Sequence, residues 1–142
     1  MRLEITAYTG VGPVKFGMTR EEVRLAVGPP VRPFMKTPDD ELPTDAFDDL
    51  GVHVYYKKPG VCEAVEMGSP AEPTFRGQVL IGRPYSELRR WFESLDESVE
   101  TDDTGLLSYK YGVGLYAPAA EEEPDEPVEG VIVFERGYYE TP

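Results

Sequence analysis

Residues 16–30 have the sequence FGMTREEVRLAVGPP and predict one short, well-capped helix. Thr19 can accept a hydrogen bond from the backbone N–H of Glu22, and the Glu22 carboxylate can reach back to the N–H of Thr19. That reciprocal arrangement is a capping box. Gly28 and the two prolines after it end the helix, because glycine tolerates the left-handed terminal turn and proline cannot continue the helix. We therefore predict a helix from Thr19 to about Val27.

A similar stretch occurs a second time in the chain. Ile81–Arg89 aligns with Phe16–Arg24 without a gap. The second stretch begins a predicted helix whose apolar residues follow helical spacing, namely Leu88, Trp91, Phe92 and Leu95. Segments of strand-like alternation follow each helix, at residues 51–56, 61–67, 112–116 and 131–135. A duplicated unit explains this order of elements, and the alternative is that any small helix followed by a hairpin looks alike.

We therefore expect an α+β fold made of two tandem repeats, each a helix plus an antiparallel sheet, with the helices packed on one sheet face. The Gly- and Pro-rich segment 68–73 separates the repeats, so the units are residues 1–71 and 72–142 of one compact protein. Strand alternation then predicts which side chains face the core. The predicted core-facing residues are Val52, Val54, Val65, Met67, Val113, Leu115, Ile132 and Phe134.

Charge limits the classes of partner. The 142 residues include 27 acidic and 14 basic side chains, for a formal net charge of −13. Such a surface repels nucleic-acid phosphates and anionic membranes and attracts basic proteins, although acidity also serves solubility alone. No window approaches the roughly 18 apolar residues of a membrane span, and residues 1–6 lack the apolar region of a signal peptide. We expect a cytoplasmic protein with a basic protein partner, and neither nucleic acid nor membrane as partner.

The residues that carry chemistry in other proteins are sparse here. Cys62 and His53 are the single cysteine and histidine. A catalytic pair would need a lowered thiol pKa and a third orienting group, and a cysteine that fills the core is the simpler interpretation. The acidic segment 39–41 has no EF-hand spacing, and residues 10–13 lack the lysine of a phosphate loop. We expect no catalytic residue, no metal and no cofactor, and hence no enzyme.

Two surfaces are candidates for binding a partner. The sheet face opposite the helices should carry His53, Tyr55, Glu66, Lys110, Tyr116 and Glu135. Tyrosines beside acids supply large contacts and charge complementarity, although tyrosine also simply suits strands. The second candidate is an acidic run formed by Glu121, Glu122, Glu123, Asp125 and Glu126. That run can engage a basic cleft, and a solvated loop without function is the alternative.

The helix motif resembles that of the SmpA/OmlA (BamE-like) family. The shared features are Gly17, a small capping residue, the acidic pair 21–22, Val23 and a later Gly-x-Pro at 28–30. The second stretch departs from the motif, because Arg83-Pro84 replaces Met18-Thr19 and no Gly-x-Pro follows. Two such units in tandem resemble the architecture of the beta-lactamase inhibitory protein family. This resemblance implies helices packed on an antiparallel sheet and a protein that grips another protein.

The expected function follows from the charge and from the resemblance. The single cysteine excludes the intramolecular disulfides of the extracellular inhibitor, so inhibition of a secreted beta-lactamase is not expected. We expect an acidic protein-binding module, an inhibitor or bacterial immunity-type protein that occludes a basic partner such as a toxin nuclease. The alternatives are a small-molecule-binding or catalytic protein that uses the cleft between the repeats, and a structural subunit of an assembly.

Overall fold

The computed structural model describes residues 1–139. It is mostly β, with 16% of residues in helices and 37% in strands. The expected α+β fold of two helix-plus-sheet repeats is therefore wrong. The strands that follow the two helices join edge to edge in one eight-stranded antiparallel sheet. The described residues contain two α-helices, of 8 and 11 residues, which are too few and too short to form a separate layer for each half.

The elements follow one another in a fixed order along the chain. The first are β1 (Ile5–Thr6), β2 (Gly10–Val11), β3 (Val14–Lys15), α1 (Arg20–Val27), β4 (Arg32–Phe34), β5 (Thr44–Phe47), β6 (Val52–Lys57) and β7 (Val61–Gly68). The others are β8 (Thr74–Phe75), β9 (Gln78–Val79), α2 (Tyr85–Leu95), β10 (Glu100–Asp102), β11 (Gly105–Ser108), β12 (Val113–Tyr116) and β13 (Gly130–Phe134). A 3₁₀ turn, Asp48–Leu50, connects β5 to β6.

The large sheet has the strand order β10-β11-β12-β13-β7-β6-β5-β4. The pairing of β13 with β7 lies near its centre, and it joins residues 130–134 to residues 64–68. The strands β1, β2 and β3 form a small separate sheet, and β8 pairs with β9. One hydrophobic core lies between the large sheet and the helices, and it contains residues from both sides of position 71.

The local prediction for α1 is confirmed. Thr19 caps the helix at 3.2 Å from the Glu22 amide nitrogen, and Glu22 Oε1 accepts from the Thr19 N–H at 3.0 Å. The N–H of Gly28 donates to the Arg24 carbonyl and ends the helix. Val23 is its single fully buried residue. A helix of two turns has only marginal stability in water by itself, so packing of α1 against the rest of the protein stabilises it.

The second helix, α2, runs from Tyr85 to Leu95 and includes the four apolar residues that predicted it. Its N-cap is Pro84, which has no side-chain oxygen with which to cap the helix. The backbone N–H groups of Tyr85 and Ser86 donate instead to the carbonyl groups of Glu126 and Pro124, at 2.9 and 2.7 Å. The loop between β12 and β13 therefore completes the start of this helix, by contacts across about forty residues that local patterns do not reveal.

The register of β13 corrects the predicted core face. Val113 pairs with Val133, and Leu115 pairs with Val131, so these valines face the helices. Ile132 and Phe134 lie on the opposite face, contrary to the prediction. A shift of one residue in strand pairing moves every side chain to the other face, and the sequence alone does not determine this register. Phe134 forms a second, smaller cluster there with Tyr55 and Ala64.

A buried carboxylate connects α1 to the sheet. Asp45 on β5 has no exposed side-chain area, and its oxygens accept from Arg20 at 2.8 Å and from Arg24 at 2.7 Å. The hydroxyl of Tyr56 on β6 also donates to Asp45, at 2.9 Å. Burial acts to raise the pKa of Asp45, but the hydrogen bonds from Arg24 and Tyr56 and the arginine charges outweigh it and lower the pKa. Asp45 is therefore held as a carboxylate.

Candidate functional site

An acidic groove crosses the sheet face that points away from the helices. Its volume is about 850 Å³. Five carboxylates line it, those of Asp48, Glu66, Glu100, Asp102 and Glu129. Among the described residues that line this groove there is no lysine or arginine. The groove therefore concentrates negative charge on a concave surface, where the electrostatic field is strongest.

The floor of the groove is apolar. Strand pairing aligns five residues in one row across β7, β13, β12, β11 and β10, in the order Glu66, Ile132, Gly114, Leu107 and Glu100. A Cβ atom added at Gly114 would lie 2.8 Å from Leu107 Cδ2 and 2.9 Å from Ile132 Cγ2. The two apolar side chains thus lean over the glycine from either side. The result is an apolar strip with one carboxylate at each end.

Tyr116 stands beside this strip and is 51% exposed. It lies between two residues without side chains, because it pairs with Gly105 on β11 and with Gly130 on β13. Its ring is therefore free of neighbours across the sheet. Exposed tyrosine rings with free faces are frequent anchors in protein interfaces, because they bury a large area at a small entropic cost.

Glu66 is positioned by a neighbouring residue on the same sheet face. The hydroxyl of Tyr55 donates to Glu66 Oε1 at 2.9 Å. Burial, together with the charge of Glu66, raises the pKa of Tyr55, so the phenol remains protonated and continues to donate. Tyr55 is 7% exposed. It is therefore placed to orient Glu66, and it has little surface with which to contact a partner itself.

His53 lies next to Glu66 in the same row. It pairs with Glu66 on β7 and with Ala46 on β5, and its ring packs edge to face on Phe34 with the ring centres 5.4 Å apart. The imidazole is half-buried at the groove wall. The structure thus brings three of the predicted partner-binding residues to the groove, and they are His53, Glu66 and Tyr116.

Two other predicted residues lie away from the groove. Lys110, in the turn after β11, donates to the carbonyl of Leu95 at the end of α2, at 2.9 Å. Glu135 follows β13 and forms an ion pair with Lys57, at 2.5 Å. Both side chains have partners outside the groove, so the structure does not bring them together with Tyr116.

The acidic run belongs to a folded loop and not to a free arm. Ala117, Ala120 and Val128 of this loop are buried in the main core. Asp125 accepts a hydrogen bond from the Ser86 hydroxyl on α2, at 2.5 Å. The other carboxylates of the acidic run, those of Glu121, Glu122, Glu123 and Glu126, remain exposed on this loop. The structure therefore separates these acids from the groove.

Cys62 and His53 lie on opposite faces of the sheet. Cys62 is fully buried in the main core, where it pairs with Tyr56 across the hairpin. Burial raises the pKa of the Cys62 thiol to about 12. Cys62 and His53 therefore do not form a thiol–imidazole pair.

Within residues 1–139, no group of three or more His, Cys, Asp or Glu side chains is arranged to hold a metal ion. In the same residues, neither helix has the length and apolar character needed to cross a membrane.

We expect Cys62 to be unreactive toward a disulfide reagent such as Ellman's reagent at about pH 8, because the thiolate is the reactive form and burial disfavours it. The same thiol should react fully once guanidinium chloride unfolds the protein. Absorbance of the released thiolate measures both. Stoichiometric reaction within minutes under native conditions would contradict the buried position.

Sequence reasoning missed most of the groove. Glu100 and Asp102 lie in β10, and Leu107 lies in β11. The alternation along β10 indicates part of the groove, since Glu100 and Asp102 lie on the same face of the strand. That face meets Glu66 only through the register of β13, which local patterns leave open.

Comparisons with protein-family models, with curated proteins and with solved structures found no match to this chain.

Proposed function

We propose that this protein is a binding module that grips a basic segment of a partner protein in the acidic groove. The observation that supports the proposal is the groove itself, which combines five carboxylates, an apolar floor and the exposed ring of Tyr116. An apolar centre with a polar rim and an aromatic anchor is the usual composition of a protein interface.

The proposed role is inhibition by occlusion. The segment of the partner that binds in this groove is covered by the sheet. If that segment is an active-site loop of an enzyme, the enzyme loses access to its substrate. The proposal includes a cytoplasmic location and a basic partner of the toxin-nuclease kind, for which the protein would serve as an immunity-type inhibitor. It gives the chain no catalytic role, because the buried thiol of Cys62 lies on the other face from His53.

Electrostatic attraction should determine how fast the complex forms. The net charge of −13 and the acidic groove attract a basic protein over long range. Salt screens such attraction, with a Debye length of about 8 Å at physiological ionic strength. The association rate should therefore fall steeply as salt is added, while the dissociation rate changes little.

The test compares charge reversal inside and outside the groove. We expect the double variant Glu66→Lys/Glu100→Lys to bind the partner at least about 100-fold more weakly than the wild type, since like charges then face each other. The matched control is Glu72→Lys/Glu97→Lys, which changes net charge equally at two exposed positions outside the groove. Partners are captured from a lysate of the source cells, identified by mass spectrometry and measured by surface plasmon resonance.

The outcomes separate clearly. A protein that the wild type and the control variant retain, and the groove variant loses, supports the proposal. An identical set of captured proteins for all three forms, with thermal unfolding showing that each is folded, would overturn it. Inhibition is then tested by adding the wild-type chain to the activity assay of the identified partner.

A small cationic molecule is the second candidate occupant. The groove volume of about 850 Å³ falls within the range of small-ligand pockets, roughly 300–1,000 Å³. A thermal-shift screen with cationic metabolites, including polyamines, distinguishes a small cationic ligand from a protein partner. Stabilisation that saturates with a small cation and disappears in Glu66→Lys/Glu100→Lys would favour this candidate over the protein partner.

A further inference from the structure

We propose that the segment held in the groove is extended, runs across the strands, and carries a basic residue at each end with two apolar residues between them. In sequence, lysine or arginine occupies positions 1 and 7, and apolar side chains occupy positions 3 and 5. This inference rests on the proposed function, and it specifies the chemistry of the partner segment.

The spacing of the two end carboxylates determines the length of the segment. Glu66 on β7 and Glu100 on β10 are separated by four strand-to-strand steps in the register row. Neighbouring strands lie about 4.8 Å apart, so the two backbone positions are about 19 Å apart. An extended chain advances about 3.3 Å per residue, and six residues therefore span about 20 Å. Residues 1 and 7 of an extended segment match this distance.

The apolar floor determines the residues between them. Alternate side chains of an extended segment point the same way, so positions 1, 3, 5 and 7 all face the groove. Positions 3 and 5 lie about 7 and 13 Å along the segment. Ile132 and Leu107 lie one and three strand steps from Glu66, at about 5 and 14 Å. Two apolar side chains of the segment thus meet the two apolar residues of the floor.

The charges at the ends are available to a ligand. Glu66 and Glu100 form no ion pair with any residue between 1 and 139. Asp102 lies on the same face as Glu100, two residues along β10, and strengthens that end. Asp48 differs, because Arg32 already binds its two oxygens at 2.8 and 3.1 Å. We therefore assign the basic residues to Glu66 and Glu100.

The walls of the groove select the direction across the strands. Tyr116 borders one side of the row. On the other side, Tyr138 and Tyr139 cover Phe134, with the rings of Tyr139 and Phe134 4.9 Å apart. A segment that ran along the strands would meet these aromatic side chains, whereas a segment that runs across them follows the open strip.

The test uses fluorescein-labelled peptides and the intact protein. The first peptide has arginine at positions 1 and 7, leucine at 3 and 5, and serine elsewhere; a second has the same composition with arginine at 1 and 5 and leucine at 3 and 7. Fluorescence anisotropy at low salt measures their affinities. We expect the first to bind about tenfold more tightly, which corresponds to one full ion pair with apolar contact.

Substitutions at Glu66 and Glu100 test whether these carboxylates bind the two ends of the peptide. Glu66→Gln and Glu100→Gln should each weaken the first peptide by about threefold to tenfold, within the range of partly exposed ion pairs. In Glu100→Gln the preference for the first peptide over the second should disappear, because the distal carboxylate is gone. The matched control Glu97→Gln loses one charge outside the groove and should change neither affinity.

Equal binding of the two peptides, or an equal effect of Glu97→Gln and Glu100→Gln, would overturn this inference. Failure of this inference and failure of the proposed function give different results. A partner that needs the groove, together with peptides that show no preference for spacing, overturns the segment pattern alone. A preference for spacing that Glu100→Gln removes supports the pattern even where no groove-dependent partner is captured.

Discussion

Replacing Asp45 with alanine is expected to lower the free energy of unfolding by about 3 kcal/mol. The substitution leaves Arg20 and Arg24 without the carboxylate to which both donate, and it leaves the buried hydroxyl of Tyr56 without its acceptor. Removal of one partner from a buried ion pair is destabilising because the remaining polar groups are not resolvated fully. The arginines are partly exposed, which keeps the expected loss at the lower end of the range for such pairs.

Guanidinium unfolding measures this loss through the fluorescence of Trp91, the single tryptophan. Asp48→Ala is the matched control, because Asp48 also accepts two hydrogen bonds from one arginine but lies at the surface. We expect a much smaller change there, since water replaces the lost partner. Equal losses at the two positions would contradict a structural role for the burial of Asp45.

The same carboxylate should make stability depend on pH. The pKa of Asp45 is lower in the folded protein than in the unfolded chain, where an aspartate titrates near about 3.9. Its contribution is therefore fully present above the unfolded pKa and is lost as the pH falls through the folded pKa. Below about pH 4 the wild type should lose stability more steeply than Asp45→Ala. Parallel pH profiles for the two proteins would contradict this assignment.

Phe92→Ala should lower the free energy of unfolding by about 3–5 kcal/mol, the range for removing a buried phenylalanine. Phe92 lies on α2 and is fully buried. Its ring stacks on Phe75 with the ring centres 5.9 Å apart, and it contacts Trp91 edge to face at 5.2 Å. The loss combines the transfer of the side chain to water with the cavity left between α2 and the sheet.

Leu25→Ala is the control for that variant. Leu25 is on α1, is 86% exposed and should change the stability by less than about 0.5 kcal/mol. Chemical unfolding of both variants under one condition provides the comparison. A loss at Leu25 as large as that at Phe92 would mean that Leu25 is buried in solution, and it would contradict the packing of α1.

Features formed by residues close together in the sequence were predicted correctly. The capping box of Thr19 and Glu22 was predicted and is present, since its two hydrogen bonds join residues three apart. The segments 51–56 and 61–67 were predicted as strands from their alternation and are present as β6 and β7, which a short turn pairs. Alternation along these strands correctly placed His53 and Glu66 on one face.

The errors occurred where distant segments meet. Ile132 was assigned to the core because nothing near it in sequence reports the pairing of β13 with β7 and β12. The backbone contacts by which the loop around the acidic run completes the start of α2 also join distant segments, and no local pattern indicated them. The ion pairs of Asp45 join residues more than twenty positions apart, and no local pattern identified them.

The sequence by itself determined the caps, the turns, the alternation of each strand and the strong negative charge, because these properties depend on neighbouring residues or on composition alone. The tertiary structure decided that strands from both halves form one large sheet, that Glu66 and Glu100 lie at the two ends of one apolar strip, and that Tyr55 is buried beside Glu66. These features depend on strand register, and register is selected by burial of the whole core rather than by any one segment.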